Sequence, residues 1–271
     1  MTDCKFIWMS DPHMVARGGV LGHDPRARLR AAVAFINTHH SDARFCIISG
    51  DLVDGGGAED YRALAAILKD LVVPVYPMVG NHDDRALLRA HLAVPPGGMT
   101  DFVQYAVPDL TGARILCLDT LTPGSGDGSF CAARLKWLGA CLAESADPTY
   151  VFMHHPPFAL ELPGLDDSCN RDGAAMMAAF RDAPQIRHLF MGHIHQAITG
   201  RVGGIPFATM RAILYQAPPP EPPWDWENFA PALVPPALGV ITLRDGDAIL
   251  RYQDFCAVDL GLDEATRQNC P

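Results

Sequence analysis

The stretch HLFMGHIH, residues 188–195, is apolar through Leu189, Phe190 and Met191, stops at Gly192, and then delivers two imidazoles one residue apart, His193 and His195. An apolar run this short, bounded by glycine, has the length of a buried strand, which places both histidines at a strand's carboxyl end. The construction recurs. KFIWMSDPH (5–13), RFCIISGDLVD (44–54), VPVYPMVGNHDD (73–84) and YVFMHHPP (150–157) each carry apolar residues into a short polar cluster. Helical periodicity lies between them. Asp24-Pro25 reads as N-cap and first turn of a helix over RARLRAAVAFINTHH, and AEDYRALAAILKDL, AARLKWLGACL and GAAMMAAF follow. Alternating strand and helix predicts buried, largely parallel sheets with helices outside. Ligands of such sheets bind beyond the carboxyl ends of the strands, so five separate segments converge on one site.

The last third differs. ITGRV, IPFATM, LGVITLR and AILRYQDF read as short strands, with a hairpin turn at Asp245-Gly246, and predict a second, mixed sheet closing a sandwich. Residues 217–238, APPPEPPWDWENFAPALVPPAL, carry too many prolines for helix or central strand and predict a stiff, extended excursion. A tail follows at 256–271, and the whole of 1–271 is expected to be one domain.

The 271 residues, 49% apolar and 19% charged, suffice for a sizeable core. A formal charge of −10 without a basic block argues against a nucleic-acid polymer as partner. No apolar run approaches the roughly 18 residues of a membrane span, and MTDCKFIWMSD lacks a signal-peptide layout, so the expected address is the cytoplasm, with no membrane partner. The eight cysteines form no CxxC pair, which excludes a zinc ribbon. Cys256 and Cys270 bracket the tail and are placed to bridge, although free thiols are expected in the cytosol.

The strand ends collect Asp11, His13, Asp51, Asn81, His82, His154, His155, His193 and His195. Carboxylates, imidazoles and an amide, with no thiolate, suit a hard or borderline divalent ion such as Fe, Mn, Zn or Co. Each member alone has an ordinary explanation: an Asp as helix N-cap, an Asn in a turn, a His satisfied in the core. The whole set of oxygen and nitrogen donors at successive strand ends does not, and it is too large for one four-coordinate ion. No G-x-S-x-G elbow or G-x-x-x-x-G-K-[ST] loop offers a rival chemistry.

DPH, GDLVD, GNHDD, HHPP and GHIH, in this order over Phe6 to His195, resemble the five motifs of the calcineurin-like metallophosphoesterases. Among these they are most similar to the bacterial cyclic-nucleotide and glycerophosphodiester phosphodiesterases. The resemblance implies an α/β fold, a four-layer α/β/β/α sandwich with two mixed sheets, and a centre of two divalent metal ions. It implies that Asp11, His13 and His195 hold one ion, that Asn81, His154 and His193 hold the other, and that Asp51 bridges them. His82 would stand beside the site and protonate the leaving group, while Asp54, Asp83 and His155 would order the loops or the ligands. Hydroxide held by both metals, not a side chain, would then be the nucleophile.

The expected reaction is hydrolysis of a small phosphodiester, a glycerophosphodiester-like or related head-group ester, with 3',5'-cyclic nucleotides as the alternative and a non-catalytic scaffold as the rival from another class. Asn170 and Arg171, in the loop 162–173, are candidate head-group contacts. Tyr215 stands where similar phosphodiesterases often place a histidine. Trp224 and Trp226 together with Tyr215, with acidic neighbours Glu221, Asp225 and Glu227, would either cage a quaternary ammonium or form a subunit contact, since similar proteins assemble as homo-oligomers through such excursions.

Overall fold

The computed structural model describes residues 3–55, 57–162 and 164–268. Strands β1 (Cys4–Met9), β2 (Cys46–Ile48) and β3 (Val75–Pro77) run parallel, and β10 (Ala237–Arg244) and β11 (Asp247–Asp254) extend them antiparallel to give the order β11-β10-β1-β2-β3. The second sheet has the order β4-β5-β6-β7-β9-β8, built from β4 (Tyr105–Ala106), β5 (Arg114–Leu118), β6 (Thr149–Met153), β7 (Ile186–Met191), β8 (Thr199–Val202) and β9 (Ile205–Thr209). β5, β6, β7 and β9 are parallel, and β4 and β8 close the two edges antiparallel.

The period-two side-chain alternation of a strand sorts the layers. Trp8 meets Phe152 and Phe190 edge-on, at centroid distances of 5.6 and 5.3 Å, across the gap between the sheets. Val151, Met153, Leu189 and Met191 face the other way and pack with Leu138 of α4 (Ala132–Glu144) and Phe180 of α5 (Gly173–Arg181). On the far side α1 (Pro25–His39) and α2 (Ala58–Leu68) bury Leu29, Val33, Tyr61 and Leu64 in the same core as β1. The result is the expected four-layer α/β/β/α sandwich of two mixed sheets. Asp24 caps α1, accepting from the amides of Arg26 (2.9 Å) and Ala27 (3.4 Å), and the β10–β11 turn has positive φ at both Asp245 (52°) and Gly246 (89°), as a two-residue hairpin requires.

The last third does not form a sheet of its own. β9 adds beside β7 and β10 beside β1, because each of those strands otherwise presents an unpaired row of N–H and C=O groups. β5 and the helix α3 (Arg85–His91) carry no cluster of the ligand type and were not singled out in the sequence. Residues 217–236 form neither helix nor strand, bending at 220–222 and turning at 226–228, and the excursion ends at residue 236, since Ala237 and Leu238 already pair in β10. Cys4, Cys46, Cys117, Cys131, Cys141, Cys169 and Cys256 are free thiols; Cys270, the candidate partner of Cys256, lies outside the described residues. No helix among the described residues is long and apolar enough to cross a membrane.

Candidate metal centre

Each donor leaves its strand on a tight turn. After β1, Asp11 and His13 have φ of 53° and 42°; after β2, Asp51 has 46°; after β7, His193 and His195 have 69° and 53°. The left-handed region costs a non-glycine residue on the order of 1–2 kcal/mol, and the turns hold one another in it. The amide of Asp11 donates to Gly50 O (3.1 Å), that of His13 to Asp51 O (2.9 Å), and that of His193 to a carboxylate oxygen of Asp11 (3.2 Å). The approach is close enough to demand glycine: a Cβ on Gly80 would lie 2.2 Å from Asp51 Oδ1.

Hydrogen bonds on the outer side of each imidazole fix which nitrogen faces inward. His13 Nδ1 donates to Asp54 Oδ1 (3.0 Å), His154 Nδ1 to Ser49 O (2.9 Å) and His195 Nδ1 to Tyr215 O (2.8 Å). Ser168 gives its hydroxyl proton to Leu165 O (2.8 Å) and accepts from His193 Nε2 (2.9 Å), which leaves His193 Nδ1 bare. Such outer partners set the tautomer of metal-binding histidines. The inner nitrogens consequently meet acceptors. His13 Nε2 and His195 Nε2 stand 3.2 Å apart, and His195 Nε2 is 3.3 Å from Asp11 Oδ1. His154 Nε2 is 3.2 Å from both Asn81 Oδ1 and Asp51 Oδ2. Asp11 Oδ2 is buried without a hydrogen-bond partner. Lone pairs facing lone pairs at these distances repel unless a cation, a metal ion or in its place a proton, lies among them, so the donor set fits divalent metal ions. Asp51, 3.7 Å from His13 Nε2 and 3.2 Å from His154 Nε2, lies between the two groups.

The charges agree. Burial opposes ionisation of Asp51 and Asp11, but His154 beside the first and His195 beside the second outweigh it, and both carboxyls lie below their ordinary range. Burial likewise disfavours the His154 imidazolium, yet Asp51 and Asp11 push it up to about 9. His193 is driven down to about 3 by burial, then by His154, and is neutral.

The family model for calcineurin-like phosphoesterases matches residues 4–197, a span that contains all of these donors. The chain belongs to the calcineurin-like phosphoesterases. A probable cyclic nucleotide phosphodiesterase of Rhodopseudomonas palustris is 40% identical over 219 residues, 78% of this chain and 79% of its own length. A glycerophosphodiester phosphodiesterase of Enterobacter lignolyticus is 31% identical over 176 residues, 64% of this chain and 63% of its own. The crystal structure of a dimetal phosphatase from Danio rerio superposes with a TM-score of 0.72, covering 94% of this chain and 97% of that one, and at 15% identity it speaks for the fold alone.

In this calcineurin-like phosphoesterase the donors open into a cavity of ≈ 330 Å³ lined by His13, Asp51, Asn81, His82, His193, His195 and Tyr215 among others. Trp226 is on its wall, 62% exposed. Trp224 is not; it packs on Phe229, 5.1 Å between centroids, and over Gly164. Asn170 and Arg171 stand apart from the cavity. Asn170 is buried and its Oδ1 accepts from the amide of Asp172 (2.9 Å), while Arg171 Nε turns outward to Asp127 Oδ2 (2.6 Å); neither lines the cavity. In their place the loop contributes Ser168 and Leu165, with Ile194, Ala217 and Phe229 completing the apolar side. No residue type announced these in the sequence. His155 comes closer to the donors than expected: its ring centroid is 4.7 Å from that of His193, its Nδ1 is 2.8 Å from Thr120 Oγ1, and it groups with His154 and His193 within reach of a common ion.

Proposed function

We propose that the protein hydrolyses small phosphodiesters at a two-metal centre, with Asp11, His13 and His195 at one ion, Asn81, His154 and His193 at the other, and Asp51 shared. The inward-facing lone pairs of His13, His195, His154 and Asn81 carry this reading. Two such ions supply Lewis acidity and an activated water. The chain's part is to hold the phosphate and handle the leaving group. His82 lines the cavity with its side chain 36% exposed and its Nδ1 3.7 Å from Asp54 Oδ1, too far for a hydrogen bond, so a ring N–H remains to give its proton to the departing oxygen.

The rest of the cavity favours a substrate that carries a planar ring. Tyr215, Phe229 and Trp226 form one wall, no Lys or Arg lines it, and the Asp225 carboxylate is spent on the amides of Glu227 and Asn228, both at 3.0 Å. Glu221, Asp225 and Glu227 are outside the lining, so an ammonium cage lacks its carboxylate. An aromatic wall without a counter-ion suits a nucleobase, and 3',5'-cyclic nucleotides therefore stand ahead of glycerophosphodiesters. Metal analysis followed by a panel of cyclic, di- and monoesters tests the reaction. Trp226→Ala and Phe229→Ala should raise KM for a cyclic nucleotide severalfold more than for glycerophosphoethanolamine; equal changes would remove the nucleotide preference.

A further inference from the structure

Arg28, on the first turns of α1, is a cation with 1% of its surface exposed. Its guanidinium donates to three main-chain carbonyls that come from two distant segments. Nε reaches Leu260 O at 2.9 Å and Nη2 reaches Val258 O at 2.9 Å, both in the stretch after β11, while Nη1 bonds Leu214 O. The next carbonyl along the chain, Tyr215 O, is the acceptor that orients His195 through Nδ1.

The turn 210–217 is held by other bonds as well. Ile213 N donates to Ser10 O (2.9 Å), and the Gln216 side chain brackets Ala212, accepting from its amide (3.0 Å) and donating to its carbonyl (2.8 Å). The peptide joining Leu214 to Tyr215 lies in this turn, and Arg28 holds its carbonyl. A planar guanidinium presents several donors in a fixed fork, so one side chain can set the relative position of three carbonyls. The stretch 258–262 is itself docked where α1 begins: Asp24 N donates to Gly261 O at 2.5 Å, and His23 bridges to Leu262.

We infer that Arg28 is a positioning residue for His195, transmitting the placement of segment 258–262 through the Leu214–Tyr215 peptide to the Asp11/His13/His195 donor group. The inference rests on the two-metal reading above. It makes a selective statement: disturbing Arg28 or its tail contacts weakens one ion and spares the one at Asn81, His154 and His193, whose outer partners, Ser49 O and Ser168 Oγ, lie on other segments.

Gly261 provides a full-chain perturbation of the tail side. Its φ is +75°, and an added Cβ would lie 3.2 Å from Asp24 O and 3.3 Å from Arg28 Cγ, so Gly261→Ala strains the turn and displaces the segment from Arg28 by a few tenths of an ångström. Co²⁺ titration of the wild type, Arg28→Met, Arg28→Lys, Gly261→Ala and the double variant Arg28→Met/Gly261→Ala is the experiment. It is read by absorption and by the hyperfine-shifted imidazole N–H signals in proton NMR. Loss of an outer partner typically lowers metal affinity about 10–100-fold. Because Arg28 acts one peptide removed, Arg28→Met should weaken one Co²⁺ site about tenfold and move one N–H signal. The other site should stay within about twofold, Arg28→Lys should recover part of the loss, and the double variant should be no worse than the worse single one.

Two folded single variants with both sites unchanged, both sites weakened alike, or losses that multiply in the double variant would overturn the inference. If Arg28→Met fails to fold, Arg28→Lys and Gly261→Ala carry the same comparison. A wild type that binds no Co²⁺ removes the metal reading itself, whereas a wild type that binds two with unaltered variants removes only the role of Arg28.

Discussion

Asp83 is the knot between the loop that carries Asp51 and the loop that carries Asn81 and His82. Its Oδ2 accepts from the amides of Gly80 (2.8 Å) and Leu52 (3.0 Å), and its Oδ1 from the amide of Val53 (3.3 Å) and from Tyr61 Oη (2.8 Å). Asp83→Ala strips three buried amides of their acceptor at once. A buried donor left unsatisfied costs about 1–3 kcal/mol. Taking the lower figure, because water enters the space vacated, the three together amount to about 3 kcal/mol, a large share of the roughly 5–15 kcal/mol that holds a domain folded. Asp83→Asn keeps one oxygen acceptor but turns an NH₂ toward N–H groups, so it should fall about midway. Urea unfolding followed by circular dichroism measures the loss. With an m-value of about 3 kcal/mol/M, the alanine variant's midpoint should drop by about 1 M at unchanged slope. An alanine midpoint within a few tenths molar of wild type, or an asparagine variant worse than alanine, would refute the accounting.

Asp51→Ala and Asn81→Ala should abolish diester hydrolysis and lower bound metal, as read by elemental analysis; two ions per chain with near-normal turnover in either variant would disprove the assignment. His82→Ala should leave metal content intact and slow esters with poor leaving groups by about 10²–10⁴-fold, with a much smaller loss on p-nitrophenyl esters; equal losses would point to phosphate positioning instead. His154, pushed up to about 9 in the absence of metal by Asp51 and Asp11 against its burial, holds a proton at pH 7 that an incoming ion must displace. Affinity for that ion should therefore rise about tenfold per pH unit from pH 7 and level off above about 9, and an affinity that is flat over that window would contradict it.

Where the sequence was informative, the reason is burial. A strand covered on both faces, such as β2 or β6, reads as an apolar run, so the polar residues that end it stand out, and the donor groups around Asp51 and His154 are visible in the sequence. Sheet membership was not visible in the same way. Nothing in IPFATM or LGVITLR says which exposed edge it will complete, because the pairing is made by backbone groups that every residue carries. Loop chemistry misled for a related reason. Asn170 and Arg171 have side chains that could meet a phosphate, but one is bonded to a neighbouring amide and the other to Asp127, 44 positions away in the chain. Ser168, which sets the tautomer of His193, looked like any loop serine.

The left-handed turns at Asp11, His13, Asp51, His193 and His195 have a meaning for how such a protein can change over generations. At each of them glycine would sit more comfortably than the residue present, by on the order of 1–2 kcal/mol. Replacement at those positions therefore trades chemistry for robustness. A lineage released from the need to hydrolyse phosphoesters would find that its easiest stabilising steps are the very ones that dismantle the centre, and it would drift toward an inert, sturdier shell.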